Sequence, residues 1–423
     1  MKPSADSERR EVVVIGAGPA GSIAAALLKR RGRDVLVLER QRFPRFVIGE
    51  SLLVHCLDFV AEAGILPAVE AAGFQYKDGA AFSRGGDYGE FDFSNGFTAA
   101  RSSTYEVERA AFDKILADEA ERQGVEIRYE TEIVAARSSA HGFELAARPS
   151  TAAAESPRQI MADFVLDASG FGRTLPRLLG LERPSSFPAR RSIFTHVADH
   201  IAPGASFDRN KVLIVVHPVH HDVWYWLIPF SGGRASVGVV ARKEFLEAYQ
   251  GSPAERLRRL VYEDQRLTRV LAQAEWDTPT YELSGYAANV TAMHGPGFAL
   301  LGNAGEFLDP VFSSGVTIAM RSASMAAEVL DGQLRGAAVD WGRDFEQPLR
   351  VGIDCFREFV ESWYDGRLQE VFFSDTRPTE VRRMMTSVLA GYAWDRSNPF
   401  VAETRRRLDT VTQLCALRNR SRQ

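Results

Sequence analysis

The stretch from residue 11 to residue 39 constrains this chain more than any other. EVVVI at 11–15 is an apolar, β-branched run of the length of a buried parallel strand, and it passes directly into Gly16-Ala17-Gly18-Pro19-Ala20-Gly21. Gly16 allows a tight turn, Gly18 lets the backbone approach a pyrophosphate, and Gly21 lets a helix pack closely on the sheet. Pro19, with Ala20 behind it, suits a first helical turn, whose free N–H groups and partial positive charge face the phosphates. The helix SIAAALLKRR ends near Gly32, and a second strand over 34–38 finishes on Glu39, followed by Arg40. An acidic side chain 23 positions after Gly16 accepts hydrogen bonds from ribose hydroxyls and repels a 2′-phosphate. The unit therefore reads as a site for the ADP half of a dinucleotide other than NADP.

A chain of 423 residues with 45% hydrophobic and 25% charged content has room for a sizeable core and two domains. The net charge of −4, from 51 basic and 55 acidic residues without a long single-sign run, gives no nucleic-acid footprint. Cys56, Cys355 and Cys415 are widely spaced and odd in number, which supports neither a disulfide framework nor a metal knuckle. The polar start MKPSADSERR has no apolar signal core, and no run of 18 uncharged apolar residues occurs. A reduced, cytoplasmic protein off the membrane is the expectation.

Two later segments bear on which dinucleotide. ADFVLDASGFGR at 162–173 is an apolar strand entering the turn Asp167-Ala168-Ser169-Gly170, and residues 298–330 give a strand (298–301), a small-residue turn and a long helix. This order resembles the glutathione-reductase-type FAD fold of flavoprotein monooxygenases and halogenases. The resemblance implies FAD as cofactor, with Asp167, Gly302, Asn303, Pro310, Gly315 and Val316 at its site and the late helix N-terminus facing the flavin ring. Arg109, in YEVERAAFDKIL, matches a family position that contacts FAD. Where the monooxygenases usually carry Gly-Asp, this chain has Gly302-Asn303; Asn keeps hydrogen bonding to the ribityl or phosphate region.

The fold class expected is α/β: a Rossmann-like FAD-binding domain with an inserted antiparallel-sheet substrate domain and C-terminal helices. The FAD-binding domain is discontinuous, over 1–78, 103–184 and 286–335. Residues 79–102 and 185–285 form the substrate sheet, where FDFSNGF, KVLIVVHPV, VWYWLIPF and RASVGVVAR read as half-buried strands. The low-complexity stretch at 146–159 reads as an exposed hairpin tip, and 336–423 as a helical segment with Trp363, Tyr364, Tyr392 and Trp394 at helical spacing.

Three features narrow the resemblance to flavin-dependent halogenases, of the phenol or pyrrole type. Trp224-Tyr225-Trp226-Leu227-Ile228-Pro229 matches the family's WxWxIP signature; alternate residues of a strand share a face, so Trp224 and Trp226 are expected to stack as a wall beside the flavin. Lys77, in GFQYKDGA, resembles the family's lysine between flavin and substrate compartments, whose ammonium polarises hypohalous acid or becomes a haloamine. Residues 307–316, FLDPVFSSGV, match FxxPxxSxG, and the helix amides at Ser314 and Gly315 make an anion site suited to halide. Upstream, FPRFVIGES resembles PRFxIGES, placing Glu50 and Ser51 against the isoalloxazine. Phe312 stands where tryptophan halogenases carry a glutamate, so no carboxylate is expected there to assist attack on an unactivated indole carbon. His217, His220 and His221 flank a predicted hairpin and read as turn residues rather than metal ligands.

The activity so implied is halogenation of an electron-rich aromatic, dependent on FADH2, O2 and chloride or bromide and passing through hypohalous acid. The catalytic residues would be Lys77, Glu50 and Ser314. The absence of a second nucleotide-binding unit implies FADH2 from a separate NAD(P)H-dependent flavin reductase. The substrate is a phenol, a pyrrole or an aryl group on an acyl-carrier protein. The alternative is an FAD-dependent hydroxylase, monooxygenase or polyene reductase on the same scaffold, and a third is a non-catalytic flavoprotein.

Overall fold

The computed structural model describes residues 8–139, 142–151, 156–202, 207–374 and 377–420. Its first sheet is built around β1 (Glu8–Ile15), which leads through the glycine turn into α1 (Pro19–Arg30) and then β2 (Val35–Leu38). β1 lies parallel to β2 on one side and to the strand Arg158–Asp167 on the other. Glu126–Arg128 extends the sheet beyond β2, and Phe298–Leu300 extends it beyond Arg158–Asp167. The chain therefore winds outward from β1 in both directions, and the connections part at its carboxyl end, where open parallel sheets leave a crevice.

β1 begins three residues earlier than its apolar run. Only Val12 to Ile15 are buried. Glu8 to Arg10 pair with Ile160 to Ala162 of the long neighbouring strand, and Glu8 and Glu126 share the guanidinium groups of Arg10 and Arg128. Hydrophobic patterning reports the buried half of a strand, whereas ion pairs and a longer partner set the rest. The strand Gly142–Pro149 pairs antiparallel with Arg158–Asp167, so the low-complexity stretch spans a hairpin; residues 152–155 at its tip lie outside the described residues.

Among the described residues the second sheet has seven strands, in the order Tyr281–Ser284, Arg190–Ala198, Arg234–Arg242, Trp224–Phe230, Lys211–Val216, Gly79–Arg84 and Asp87–Asp92. The expected strand FDFSNGF stops at Asp92, because the Asp92 carboxylate accepts from Ser94 N and starts a 3-10 turn over Phe93–Asn95. Along Trp224–Phe230 the period of two sorts the side chains cleanly. Trp224, Trp226 and Ile228 join the core shared with the first sheet, while Tyr225 and Leu227 face a second core with Leu257 and Leu260 of the helix Pro253–Glu263.

A two-stranded ribbon, Gln75–Lys77 with Thr104–Glu106, joins the sheets, and Lys77 is its last residue before Gly79 opens the seven-stranded sheet. The late helix Ser314–Leu334 packs on α1, and Gln347–Tyr364, Arg367–Phe372, Thr379–Leu389 and Thr404–Arg420 follow it. Among the described residues no helix is long and apolar enough to cross a membrane.

Candidate functional site

A cavity of about 430 Å³ runs along the carboxyl end of the first sheet, from Glu39 past the start of the late helix to the tryptophan strand. At the nucleotide end Gly16, Gly18, Pro19, Ala20, Glu39 and Arg40 line it. Gly16 sits at φ +96°, and a Cβ there would stand 2.7 Å from the carbonyl oxygen of Ala168. Gly21 does not reach the cavity; a Cβ on it would stand 1.8 Å from the carbonyl oxygen of Gly16, so its role is to let α1 close on the turn. The Glu39 carboxylate accepts from Ala17 N and Gln41 N, each at 2.9 Å, which fixes it at the cavity wall with lone pairs left for ribose hydroxyls. This bare backbone cradle with a fixed acid at its far side fits the ADP half of FAD.

Several of the expected FAD residues act one step behind the wall. Asp167 is fully buried and accepts from Ser169 N and Leu175 N, so it shapes the turn whose Ala168, Ser169 and Gly170 line the cavity. Gly302, at φ +52°, lies against the late helix, where a Cβ would meet that of Ala319 at 2.7 Å; Asn303 beside it lines the cavity. Arg109 lines the cavity too, but its guanidinium holds Asp113 and donates to the carbonyls of Ile48 and Gly49, fixing the loop that carries Glu50 and Ser51.

At the start of the late helix, Ser313 takes a left-handed conformation (φ +54°) that turns the chain out of the 3-10 segment Pro310–Phe312. Pro310, Ser313, Gly315 and Val316 line the cavity, whereas Ser314 is buried beneath them. The first-turn amides of a helix have no intrahelical partner, so this end presents free N–H groups. Asp309, just upstream, is buried and accepts from Val311 N and Tyr364 Oη; burial pushes its carboxyl up to about 6. Phe312 packs edge-on against Phe359 and Trp363.

Both Trp224 and Trp226 line the far end of the cavity. Their rings are 6.0 Å apart at 48°, a tilted pair rather than the expected stack. Each indole is tied separately: Trp224 Nε1 donates to Tyr364 Oη, itself bonded to Asp309, and Trp226 Nε1 donates to Ser236 Oγ. Trp226 lies over Gly238, directly opposite in the ladder, where a Cβ would come within 2.3 Å of its ring. Tyr364 thus connects the wall to the helix turn, a role its helical spacing does not reveal.

Lys77 does not touch the cavity. It is 1% exposed, with Nζ donating to Ser51 Oγ at 2.6 Å and to the carbonyl of Leu52 at 2.9 Å, and Glu106 Oε1 lies 3.8 Å away. Burial lowers the ammonium's pKa and raises that of the Glu106 carboxyl to about 7. Glu106 is a carboxylate the sequence did not point to: it sits on the Thr104 face of a three-residue strand, too short for periodicity to mark that face as buried. Glu50 and Ser51 do line the cavity, and His196 Nε2 stands 2.6 Å from Glu50 Oε1. His217 contacts Glu263 across the hairpin end, and among the described residues no group of three His, Cys, Asp or Glu side chains is placed to hold a metal.

Residues 9–345 match the FAD binding domain family model. The chain is 31% identical to a tryptophan 2-halogenase of Chondromyces crocatus over 84% of its own length and 65% of that protein's. It is 28% identical to a 1H-pyrrole-2-carbonyl-[peptidyl-carrier protein] chlorinase of Pseudomonas fluorescens, over 90% of this chain and 89% of that one. Among solved structures it is similar to a flavoprotein/dehydrogenase from Cytophaga hutchinsonii, at 42% identity and a TM-score of 0.93, covering 97% of this chain and 100% of that one.

Proposed function

Because this chain belongs to the flavin-dependent halogenase family of FAD-binding enzymes, we propose that it halogenates an electron-rich aromatic ring using FADH2, O2 and halide. The reduced flavin, when bound, supplies two electrons to O2 and so an oxidant for chloride or bromide. The amides at Ser314 and Gly315 hold the halide at the late helix N-terminus. Trp224 and Trp226, fixed by Tyr364 and Ser236, keep the aromatic substrate from the flavin face. Lys77, acting through Ser51, directs hypohalous acid to the ring carbon.

The observation that carries this reading is the position of Lys77, one hydrogen bond behind the cavity wall through Ser51, at the junction of the two sheets. From that place the ammonium acts on an oxidant in the cavity through the Ser51 hydroxyl that it holds, since Ser51 lines the cavity and Lys77 does not. The Phe312 ring where an assisting carboxylate would stand favours phenols, pyrroles or a carrier-bound aryl group, whose own substituents activate the ring; the pyrrole chlorinase relative acts on a carrier-bound ring. The electrons come from a separate NAD(P)H-dependent flavin reductase.

A second reading, an FAD-dependent reductase or hydroxylase, is favoured by the 42% identity to a flavoprotein/dehydrogenase. Purified protein with a flavin reductase, NADH, O2 and either halide is incubated with phenols, pyrroles and their carrier-bound thioesters, and the products are read by mass spectrometry. Halogen in the product is the expected outcome. Oxygenated or hydrogenated product alone establishes the second reading.

A further inference from the structure

One charged group in the cavity wall has incomplete hydrogen bonding. Glu50 is 2% exposed and lines the cavity; its Oε1 is bonded to His196 at 2.6 Å, and its Oε2 is buried with no partner among the described residues. His196, on the strand Arg190–Ala198, keeps 18% of its side chain exposed, between the rings of Phe46 and Phe230. The other ionisable groups around the pair include Arg109, whose guanidinium donates to the carbonyls of Ile48 and Gly49, Glu106, on Thr104–Glu106, and Lys77, which reaches the same loop through Ser51. Two adjacent titratable side chains thus link the cavity to solvent by a path that leaves Lys77 aside.

Proton balance gives that path a use, on the halogenase reading. Aryl–H, halide, O2 and FADH2 yield aryl halide, FAD and two waters only if one further proton is supplied: O2 takes four electrons and four protons, of which FADH2 gives two electrons and two protons. The conversion of aryl–H and halide to aryl halide gives two electrons and one proton. Hydroxylation of the ring to a phenol and one water, and oxidation of FADH2 to hydrogen peroxide, need no proton from outside.

We propose that His196 and Glu50 admit this proton. His196 takes it from water and passes it across the 2.6 Å contact to Glu50, leaving a neutral imidazole and a neutral carboxyl. Rotation of that carboxyl turns the O–H to the cavity. Glu50 is the group that faces the reaction; His196 acts through it as a positioning and relay residue.

The test compares wild type with E50Q, H196Q and H196L. Glutamine at 196 keeps an N–H toward Glu50 but carries no proton, and leucine removes both functions. In calorimetry of FAD binding in buffers of different ionisation enthalpy, wild type and E50Q are expected to exchange different numbers of protons, because flavin covers the Glu50 oxygen that has no partner among the described residues. In turnover, H196Q binds FAD as wild type does, but its halogenated product per flavin oxidised falls about tenfold, with the deficit widening from about pH 6 to about pH 9 as protons become scarce. H196L falls at least as far. Equal proton counts for wild type and E50Q, or wild-type coupling in H196Q across that range, overturn the conduit. If wild type gives no halogenated product, it is the halogenase reading that has failed, and the calorimetric counts still decide whether the pair titrates with the cavity.

Discussion

The two ends of the cavity are built by different means. At the nucleotide end, twenty-odd consecutive residues supply everything: a strand, a turn without side chains, a helix start and the acid Glu39, and the contacts are largely backbone ones. At the lysine end, Ser51, Lys77, Glu106, His196, Trp224, Asp309 and Tyr364 converge from seven separate segments, and nearly every contact is a side-chain bond. Local construction leaves little freedom to alter the ligand. Construction from scattered side chains lets the chemistry vary while binding stays intact, because function lives in the site rather than in the fold.

The sharpest way to break this contrast is to damage each end separately. Gly21→Val forces a branched side chain into a site where even a Cβ would stand 1.8 Å from the Gly16 carbonyl oxygen. Displacement of α1 from the turn is expected to abolish FAD retention, with overpacking costing about 3 kcal/mol or more of stability. Gel filtration with flavin absorbance reads the outcome, and a flavin-replete Gly21→Val protein refutes the role given to that glycine. Lys77→Met, at the other end, is expected to lower product formation by roughly 100-fold to 10,000-fold, the range for a positioned proton-donating group, while the FAD dissociation constant stays within about threefold. Loss of flavin in the second variant would mean that the two ends are not separable.

The same contrast explains what the sequence made legible. β1, α1, β2 and Glu39 follow from a motif whose parts are neighbours in the chain, and the strands Trp224–Phe230 and Arg234–Arg242 follow from short apolar runs between turns, although both faces are buried where half-buried strands are expected. FDFSNGF misleads because a single Asp–Ser cap outweighs the alternation of phenylalanines. Glu106, His196 and Tyr364 carry no local signal at all: an ordinary Glu, His or Tyr becomes a site residue only once the ribbon Gln75–Lys77 with Thr104–Glu106, the second sheet and the helix Gln347–Tyr364 are brought against the cavity. The tryptophan pair was legible as a wall but not as a tilted one, because Gly238, which receives the Trp226 ring, lies on another strand.

Asp309 offers a test of the tie between wall and helix turn. Its buried carboxyl titrates at about 6, above the value near 4 of an unfolded aspartate, so between those limits the native state holds a proton that the unfolded chain has released. Its contribution to stability is full below about pH 4 and lost as pH rises to about 6, on the order of 3 kcal/mol. Asp309→Asn removes the titration. The denaturant midpoint of wild type relative to this variant is therefore expected to fall from pH 4 to pH 6 and then level off; a difference independent of pH would show that Asp309 is ionised throughout.

The smallest effect belongs to the ion cluster that lengthens β1 beyond its apolar run, at the nucleotide end but outside the cavity. Arg128 holds Glu8 through two hydrogen bonds of 2.7 Å, and this pairing brings the Glu8 carboxyl down to about 2. With its folded value depressed, Glu8 stabilises the protein above its unfolded value of about 4, and that contribution disappears as pH falls toward about 2. Both side chains are a third exposed, so solvent screening holds the contribution to about 1 kcal/mol or less. Arg128→Gln is expected to lower the melting temperature by a few degrees at most near neutral pH, with the difference shrinking in high salt and at low pH, while FAD affinity is unmoved. A change in FAD affinity would join this outer edge to the nucleotide site and make the local unit larger than residues 11–39.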